Sequence, residues 1–443
     1  MALPHTWHWH DASQVEGFLR RQASGKRVAV AAVGGSVTAG INCIDGVLVH
    51  QQCSWPARVA RWLGNNTGFR NLARGGVNSR SFLPIAPFVR SEIIDSEGLP
   101  TDGVLLLVDF SVNDAYSIAG AEFNYSREIG AAERRRVAEV SLALEALLRH
   151  LDQSNGGALA MLGILHACSP CQWLFSEYKR VFEHYQLPLL QFSSWPGCGQ
   201  WLFARCVHPS AKWHRQVAET VQDGLQSLAA RTSTQGTRPA RIPLSQYTHT
   251  LWPKRLLDGL RVCKRDVATV LSAYDALKAG WTDDWRHELV NCDASFGCQL
   301  LDEGNAGARK PGWVLQASLD ASVHASVRFK MRFGSEPRLL ISYLQSYEGM
   351  GEARLTIPSN GGQQYKLEGT HSLRTSQVRT EFFAADSKGS QATSMSVQEA
   401  HLERRPLGSA GAHGFGVPAK STVEGQVELV SGSKFKVVSI VSC

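Results

Sequence analysis

The stretch Val28-Ala-Val-Ala-Ala-Val-Gly-Gly-Ser-Val-Thr-Ala-Gly40 decides the fold. Six small or β-branched apolar residues in a row suit a strand buried on both faces, and the paired glycines after them let a backbone approach closely. Ser36 therefore stands just past the carboxyl end of a strand, where a nucleophilic hydroxyl is presented. The loop is not a phosphate-binding Walker motif, because Ile41 stands where lysine would grip the phosphate. Nor is it a Gly-x-Ser-x-Gly elbow, because Thr38 replaces the last glycine. A glycine-rich turn with an N-capping serine is the alternative for this motif taken alone.

Four more apolar runs follow: Gly68 to Ala73, Val104 to Phe110, Ala158 to Leu165 and Leu187 to Phe192. Helical periodicity separates them at Trp55 to Leu63, about Arg134 to Leu151, Trp173 to Tyr185, and from Pro209 to about Leu228. Strands alternating with helices predict an α/β domain, a three-layer αβα arrangement about a five-stranded parallel sheet. Sites in such sheets lie at the carboxyl ends of the strands.

The 443 residues leave room for two or three domains. Residues 1–230 form the α/β part, and the aperiodic, breaker-rich segment 231–248 reads as a linker. Beyond it short alternating segments recur: Trp313 to Leu319, Ala325 to Phe333, Arg338 to Leu344, Ala353 to Ile357, Val397 to Leu402 and Lys434 to Val441. Turn formers punctuate them at Pro311-Gly312, Gly334-Ser335 and Asn360-Gly361-Gly362. The expectation for residues 249–443 is a β-sandwich accessory domain.

Hydrophobic residues at 43% and charged residues at 19% exclude a disordered or fibrous chain. The net charge of +7 is dispersed, with one compact cluster at Arg134-Arg135-Arg136, so no nucleic-acid partner is expected. No apolar run approaches the ~20 residues of a membrane span. The first ten residues lack the basic and apolar regions of a signal peptide, and the sequons at Asn65 and Asn124 arise easily by chance, so the cellular address stays open.

Three further loops supply chemistry. The second strand leads into Arg74-Gly75-Gly76-Val77-Asn78, the third into Asp109-Phe110-Ser111-Val112-Asn113-Asp114, and Cys206-Val207-His208-Pro209 precedes the last helix. Serine, glycine amide, asparagine amide and histidine thus come in order to one edge of one sheet.

These four blocks closely resemble those of the SGNH hydrolase superfamily, the GDSL-type esterases and lipases, over roughly residues 25 to 230. The resemblance implies a carboxylic ester hydrolase in which Ser36 attacks the carbonyl and His208 moves the proton. The oxyanion would be met by the N–H groups of Ser36 and Gly76 and by the Asn113 amide, each donor typically worth about 3 kcal/mol. It implies no metal and no organic cofactor. The second half resembles the C-terminal extensions of algal and protist members through Trp313, the run Ser342 to Gly351, and Phe435-Lys436-Val437-Val438.

The chain departs from the family pattern at Arg205, where an aspartate usually orients the base. Three readings stay open: a dyad whose imidazole donates to a main-chain carbonyl, a substitute acid such as Asp114, or a site that has lost most of its activity. Ser111 stands where glycine usually precedes the Asn-Asp pair, and Trp213 where glycine precedes His214. Ser111 is a small residue in a tight loop or a further hydroxyl near substrate.

Ten cysteines leave disulfides open. Cys168 and Cys171 read as a structural pair rather than a redox centre, Cys198–Cys206 would brace the loop before His208, and Cys292–Cys298 would close a short loop. His5, His8 and His10 are assigned to a mobile terminus rather than a metal tract. The substrate expected is an acyl ester, short-chain or acetyl, on a polysaccharide. A sugar O-acyltransferase and a glycan-binding protein on an impaired hydrolase are the alternatives, with Trp313, Tyr343 and Tyr347 as candidate sugar-stacking aromatics.

Overall fold

The structure, a computed structural model, describes residues 4–41, 43–86, 89, 93, 102–119, 131–152, 159–166, 172–192, 208–232, 244, 247, 249–252, 257, 269–273, 276, 289–303, 311–317, 324–335, 337–357, 363–371, 376–384, 413–414 and 417–443. It divides into two compact units, Met1–Leu257 and Asp258–Cys443.

The predicted apolar runs build the sheet of the first unit. Strands β1 (His5–His8), β2 (Val28–Gly34), β3 (Ile44–Asp45), β4 (Leu48–Val49), β5 (Thr67–Asn71), β6 (Val104–Asp109), β7 (Leu159–His166) and β8 (Leu189–Phe192) occur in that order. The main sheet runs β1-β8-β7-β6-β2-β5, and β3 and β4 form a separate hairpin. Strands β5, β2, β6, β7 and β8 are mutually parallel. All seven residues of β2 are buried, as a strand covered on both faces requires.

The sheet nevertheless differs from the five-stranded parallel one expected, because β1 adds a sixth strand antiparallel to β8. The reason is Trp7. Its indole packs on Gly224, where a Cβ would stand 2.0 Å from the ring, and it stacks on Trp9 at 4.3 Å. Two aromatics with somewhere to pack anchor a terminus that composition alone would leave mobile.

The helices are α1 (Ser13–Ala23), α2 (Trp55–Leu63), α3 (Ser79–Phe82), α4 (Ser111–Ala119), α5 (Ala131–Leu151), α6 (Gln172–His184) and α7 (Ala211–Thr232). Helices α1, α2 and α7 share one core with alternate residues of the sheet, among them Val30, Leu105, Leu107 and Leu162. Helices α4, α5 and α6 pack against one another, with α4 and α6 on β7.

Trp252 belongs to the first unit. Its main-chain N–H donates to Glu145 at 3.0 Å, its indole donates to Ser141, and Arg180 lies over its ring.

The second unit is β-rich, and two of its sheets share a single core. One has the order β10-β13-β19-β15-β16, from Val290–Asn291, Ser326–Arg332, Thr422–Ser431, Glu352–Ile357 and Gln363–Glu368. The other has the order β11-β12-β20-β14-β17-β18, from Cys298–Asp302, Pro311–Gln316, Lys434–Ser442, Arg338–Gln345, Gln377–Ala384 and His413–Gly414, with β9 (Thr269–Ser272) also paired to β20. Trp313 and Leu315 from one sheet meet Val327 and Phe329 from the other. Pro311 and Gly312, read as a turn, begin β12 instead, on the edge that pairs with β11. The Cys292–Cys298 disulfide is present. The segments Val397 to Leu402 and Asn360 to Gly362 lie outside the described residues.

Candidate active site

Strand β2 ends beside β6, with Gly34 paired to Asp109. The chain then turns at once, because Ala39 N–H donates to the Gly35 carbonyl at 3.0 Å and Ile41 N–H to that of Ser36 at 3.1 Å. Ser36 thus opens a single helical turn at the sheet edge, and it is 9% exposed.

Two neighbouring strand ends flank that turn. From β5, Asn71 donates its amide to the Thr38 carbonyl at 2.9 Å, and Arg74 N–H donates to the Gly34 carbonyl at 3.0 Å, so the loop carrying Gly76 runs alongside. From β6, helix α4 begins at Ser111, and Asn113 sits in its first turn. The Asn113 side chain lies against Gly35, where a Cβ would stand 1.9 Å from Oδ1. The Gly34–Gly35 turn before Ser36 thus touches Asn113 on one side and, at Arg74, the segment that leads to Gly76 on the other.

His208 lies three residues before α7 and is half-buried. It acts electrostatically on His214 in the first turn of that helix. His214 Nδ1 accepts the Trp55 N–H at 3.3 Å, so the neutral ring carries its proton on Nε2, which has no partner among the described residues. Burial, reinforced by the positive field of Arg58 and the other histidines, pushes the His214 pKa down to about 3. Arg205, Cys198, Cys206, Cys168 and Cys171 lie outside the described residues.

Asp114 is wholly engaged elsewhere. Its Oδ1 accepts from Ser79 N–H at 2.9 Å and from Ser79 Oγ at 3.0 Å, and its Oδ2 accepts from the Tyr178 hydroxyl. Burial pushes its pKa up to about 7, against the lowering effect of those hydrogen bonds. It joins the Gly76 loop, through Ser79, to the helix that bears Asn113.

A second carboxylate escaped the sequence reading. Asp109 closes β6 and His166 closes β7, and their side chains meet at 3.1 Å, 1% and 0% exposed. Thr38 Oγ1 donates to Asp109 Oδ2 at 2.7 Å, and Ser111 Oγ donates to Oδ1 at 3.3 Å while accepting His166 N–H at 3.0 Å. The Ser111 hydroxyl thus faces this buried cluster. The sequence hints at each residue singly, since two otherwise apolar strands, VLLLVD and LAMLGILH, each end on an ionisable residue, but not at their pairing.

Next to the turn that holds Ser36, a Cys43–Cys53 disulfide that was not foreseen closes the segment holding the β3–β4 hairpin. Asp45 in that hairpin accepts from Arg58 of α2 at 2.6 Å and from Arg215 of α7 at 3.0 Å. Those hydrogen bonds hold its carboxyl below the usual range. No group of three metal-ligating side chains occurs among the described residues.

No family model matches the chain, and no curated protein does. Solved structures do. A two-domain esterase active on acetylated mannans aligns over 97% of this chain and 95% of its own, at 15% identity and a TM-score of 0.52. The same kind of two-domain esterase co-crystallised with mannopentaose aligns over 97% and 94%, at 14% identity and a TM-score of 0.51. A lipase/acylhydrolase from Enterococcus faecalis covers 46% of this chain at 15% identity and a TM-score of 0.30. At these identities the likeness is one of fold, and it extends along both units.

Proposed function

We propose that the protein is a serine esterase that removes short acyl groups, acetyl above all, from a carbohydrate. The observation that carries the reading is the nucleophile turn. Ser36 opens it at a strand end, the Gly76 loop is bonded alongside, and the Asn113 amide is pressed against Gly35. The likeness along 97% of the chain to an esterase active on acetylated mannans supports the substrate class.

In this reading Ser36 Oγ attacks the ester carbonyl carbon while His208 takes its proton. Negative charge develops on the former carbonyl oxygen and is met by the N–H groups of Ser36 and Gly76 and by Asn113. Because Asn113 Oδ1 lies against Gly35, its amide nitrogen is the end left to donate. The C–O bond to the sugar then breaks, and the sugar oxygen leaves with the proton from His208. Water, giving a proton to His208, attacks the acyl-serine; the bond to Oγ then breaks, His208 returns the proton to Ser36 Oγ, and the acid is released. With both Asp114 oxygens bonded to Ser79 and Tyr178, the base works as a Ser36–His208 dyad rather than with that acid.

Release of acetate from acetylated mannan by the wild type, Ser36→Ala and His208→Ala tests the proposal. Loss of about four to six orders of magnitude in turnover is expected in each variant. Turnover by Ser36→Ala equal to the wild type rejects it. A second reading, glycan binding on an impaired hydrolase, is favoured by Arg205 at the position where the family places its acid. Under that reading the wild type releases no acetate, binds mannan as Ser36→Ala does, and gains activity on Arg205→Asp.

A further inference from the structure

We infer that Asp109, clamped by Thr38 and His166, is a positioning residue that sets the nucleophile turn. The inference rests on the reading of Ser36 as nucleophile. Asp109 grips the turn on both sides of Ser36: its main-chain carbonyl accepts Gly35 N–H at 3.2 Å, and its carboxylate accepts Thr38 Oγ1 at 2.7 Å. The residue before the serine and the residue two after it are thus fixed to one point on β6. The carboxylate is buried, so leaving it unfilled is costly, and Thr38, His166 and Ser111 fill it from three separate elements.

His166 extends the cluster toward the proposed base. Its ring stacks on Phe192 at 5.2 Å and meets Trp213, in the first turn of α7, at 5.1 Å. That helix begins three residues after His208. One buried pair therefore sets both the turn of the nucleophile and the start of the helix that follows the base. Chemistry at an ester carbonyl tolerates little misplacement, and an error of about 1 Å can cost a hundredfold in rate. The carboxylate that the family uses to orient its base is replaced at Arg205, whereas this chain has a buried carboxylate oriented on the serine side.

The test measures kcat and KM on an aryl acetate, the rate of Ser36 phosphonylation by an aryl phosphonate, and the thermal midpoint. Thr38→Val, which removes only the donor, is expected to lower kcat and phosphonylation together by about 10- to 100-fold with KM unchanged. Thr38→Ser should restore both to within about threefold, because it returns the hydroxyl. His166→Phe, which keeps the ring against Phe192 and Trp213 but cannot donate, and His166→Gln, which can, form an independent pair on another strand. They should reproduce the loss and the rescue even where a Thr38 variant does not fold. Variants with lowered thermal midpoints but wild-type kcat and phosphonylation overturn the inference while leaving the esterase reading intact. Turnover that survives Ser36→Ala overturns both.

Discussion

The Asn113 side chain lies where a methyl group on Gly35 would stand, 1.9 Å from Oδ1. The glycine before the serine is therefore a seat for an amide as well as a flexible turn residue. Gly35→Ala should push Asn113 out of place and, with the oxyanion role proposed for that amide, lower kcat by about 10²- to 10³-fold, the usual result of losing one such donor. Asn113→Ala should match it, and the double variant should be no worse than either alone. Kinetics on an aryl acetate decide the matter, and multiplicative losses would refute a shared origin.

Asp114 and His214 impose opposite pH dependences on stability. The Asp114 carboxyl, about 7 in the folded state, lies above its ordinary value of 3.8. The native protein keeps a proton that the unfolded chain gives up. The corresponding stability is fully present below about pH 4 and is lost as pH rises to about 7. Asp114→Asn should abolish that fall, giving a urea midpoint that gains on the wild type between pH 4.5 and 8.

His214 titrates near 3 when folded, below its ordinary value of 6.5. Here the unfolded chain takes up a proton that the native ring refuses. Stability is complete above about pH 6.5 and falls away as pH drops toward 3. His214→Asn should flatten this acid limb. Between pH 4 and 6.5 the two slopes oppose, so the wild-type profile should be flatter than that of either variant. A wild type as steep as Asp114→Asn would show that the Asp114 contribution is absent.

The Cys43–Cys53 disulfide spans a sequence separation of ten, which in the loop-entropy account corresponds to about 2–3 kcal/mol. Replacing both cysteines with serine should lower the thermal midpoint of the first unit by roughly 5–10 °C. Calorimetry of the intact protein and of the double variant gives the comparison.

Gly224→Ala should loosen the amino-terminal strand, because its methyl group would collide with the Trp7 indole at 2.0 Å. A loss of about 1–3 kcal/mol is expected, as for other overpacked cores. Hydrogen exchange should then show early opening at His5–His8, while amides of β2 keep their protection. Unchanged protection at His5–His8 would mean that Trp7 does not secure the strand.

The sheet was legible because its strands are written in runs. Val28–Val33, Val104–Val108 and Leu159–Leu165 are apolar without interruption, which a doubly covered parallel strand demands. Helix α2 was as plain, since its apolar residues recur at helical spacing behind Ser54 and Pro56. The strand β1 was not, because His5-Thr-Trp-His carries one apolar residue, whose partner lies far along the chain. Of the site, the glycines, Asn113 and Ser36 stand next to strand ends and can be read there. Asp109 and His166 could not be paired from sequence, since nothing local says that the last residues of two strands share a hydrogen bond. The Cys43–Cys53 bridge was hidden among the many pairings that ten cysteines allow.

The antiparallel edge strand also bears on biosynthesis. His8 reaches its partner Gln191 across 183 positions of sequence. On the ribosome, Trp7 and Trp9 are made long before β8 and stay unpaired until it has emerged, and β8 in turn keeps an open hydrogen-bonding rim until they dock. A strand translated well before its partner thus completes the sheet late, and the interval between is when a nascent chain most needs shielding from its neighbours.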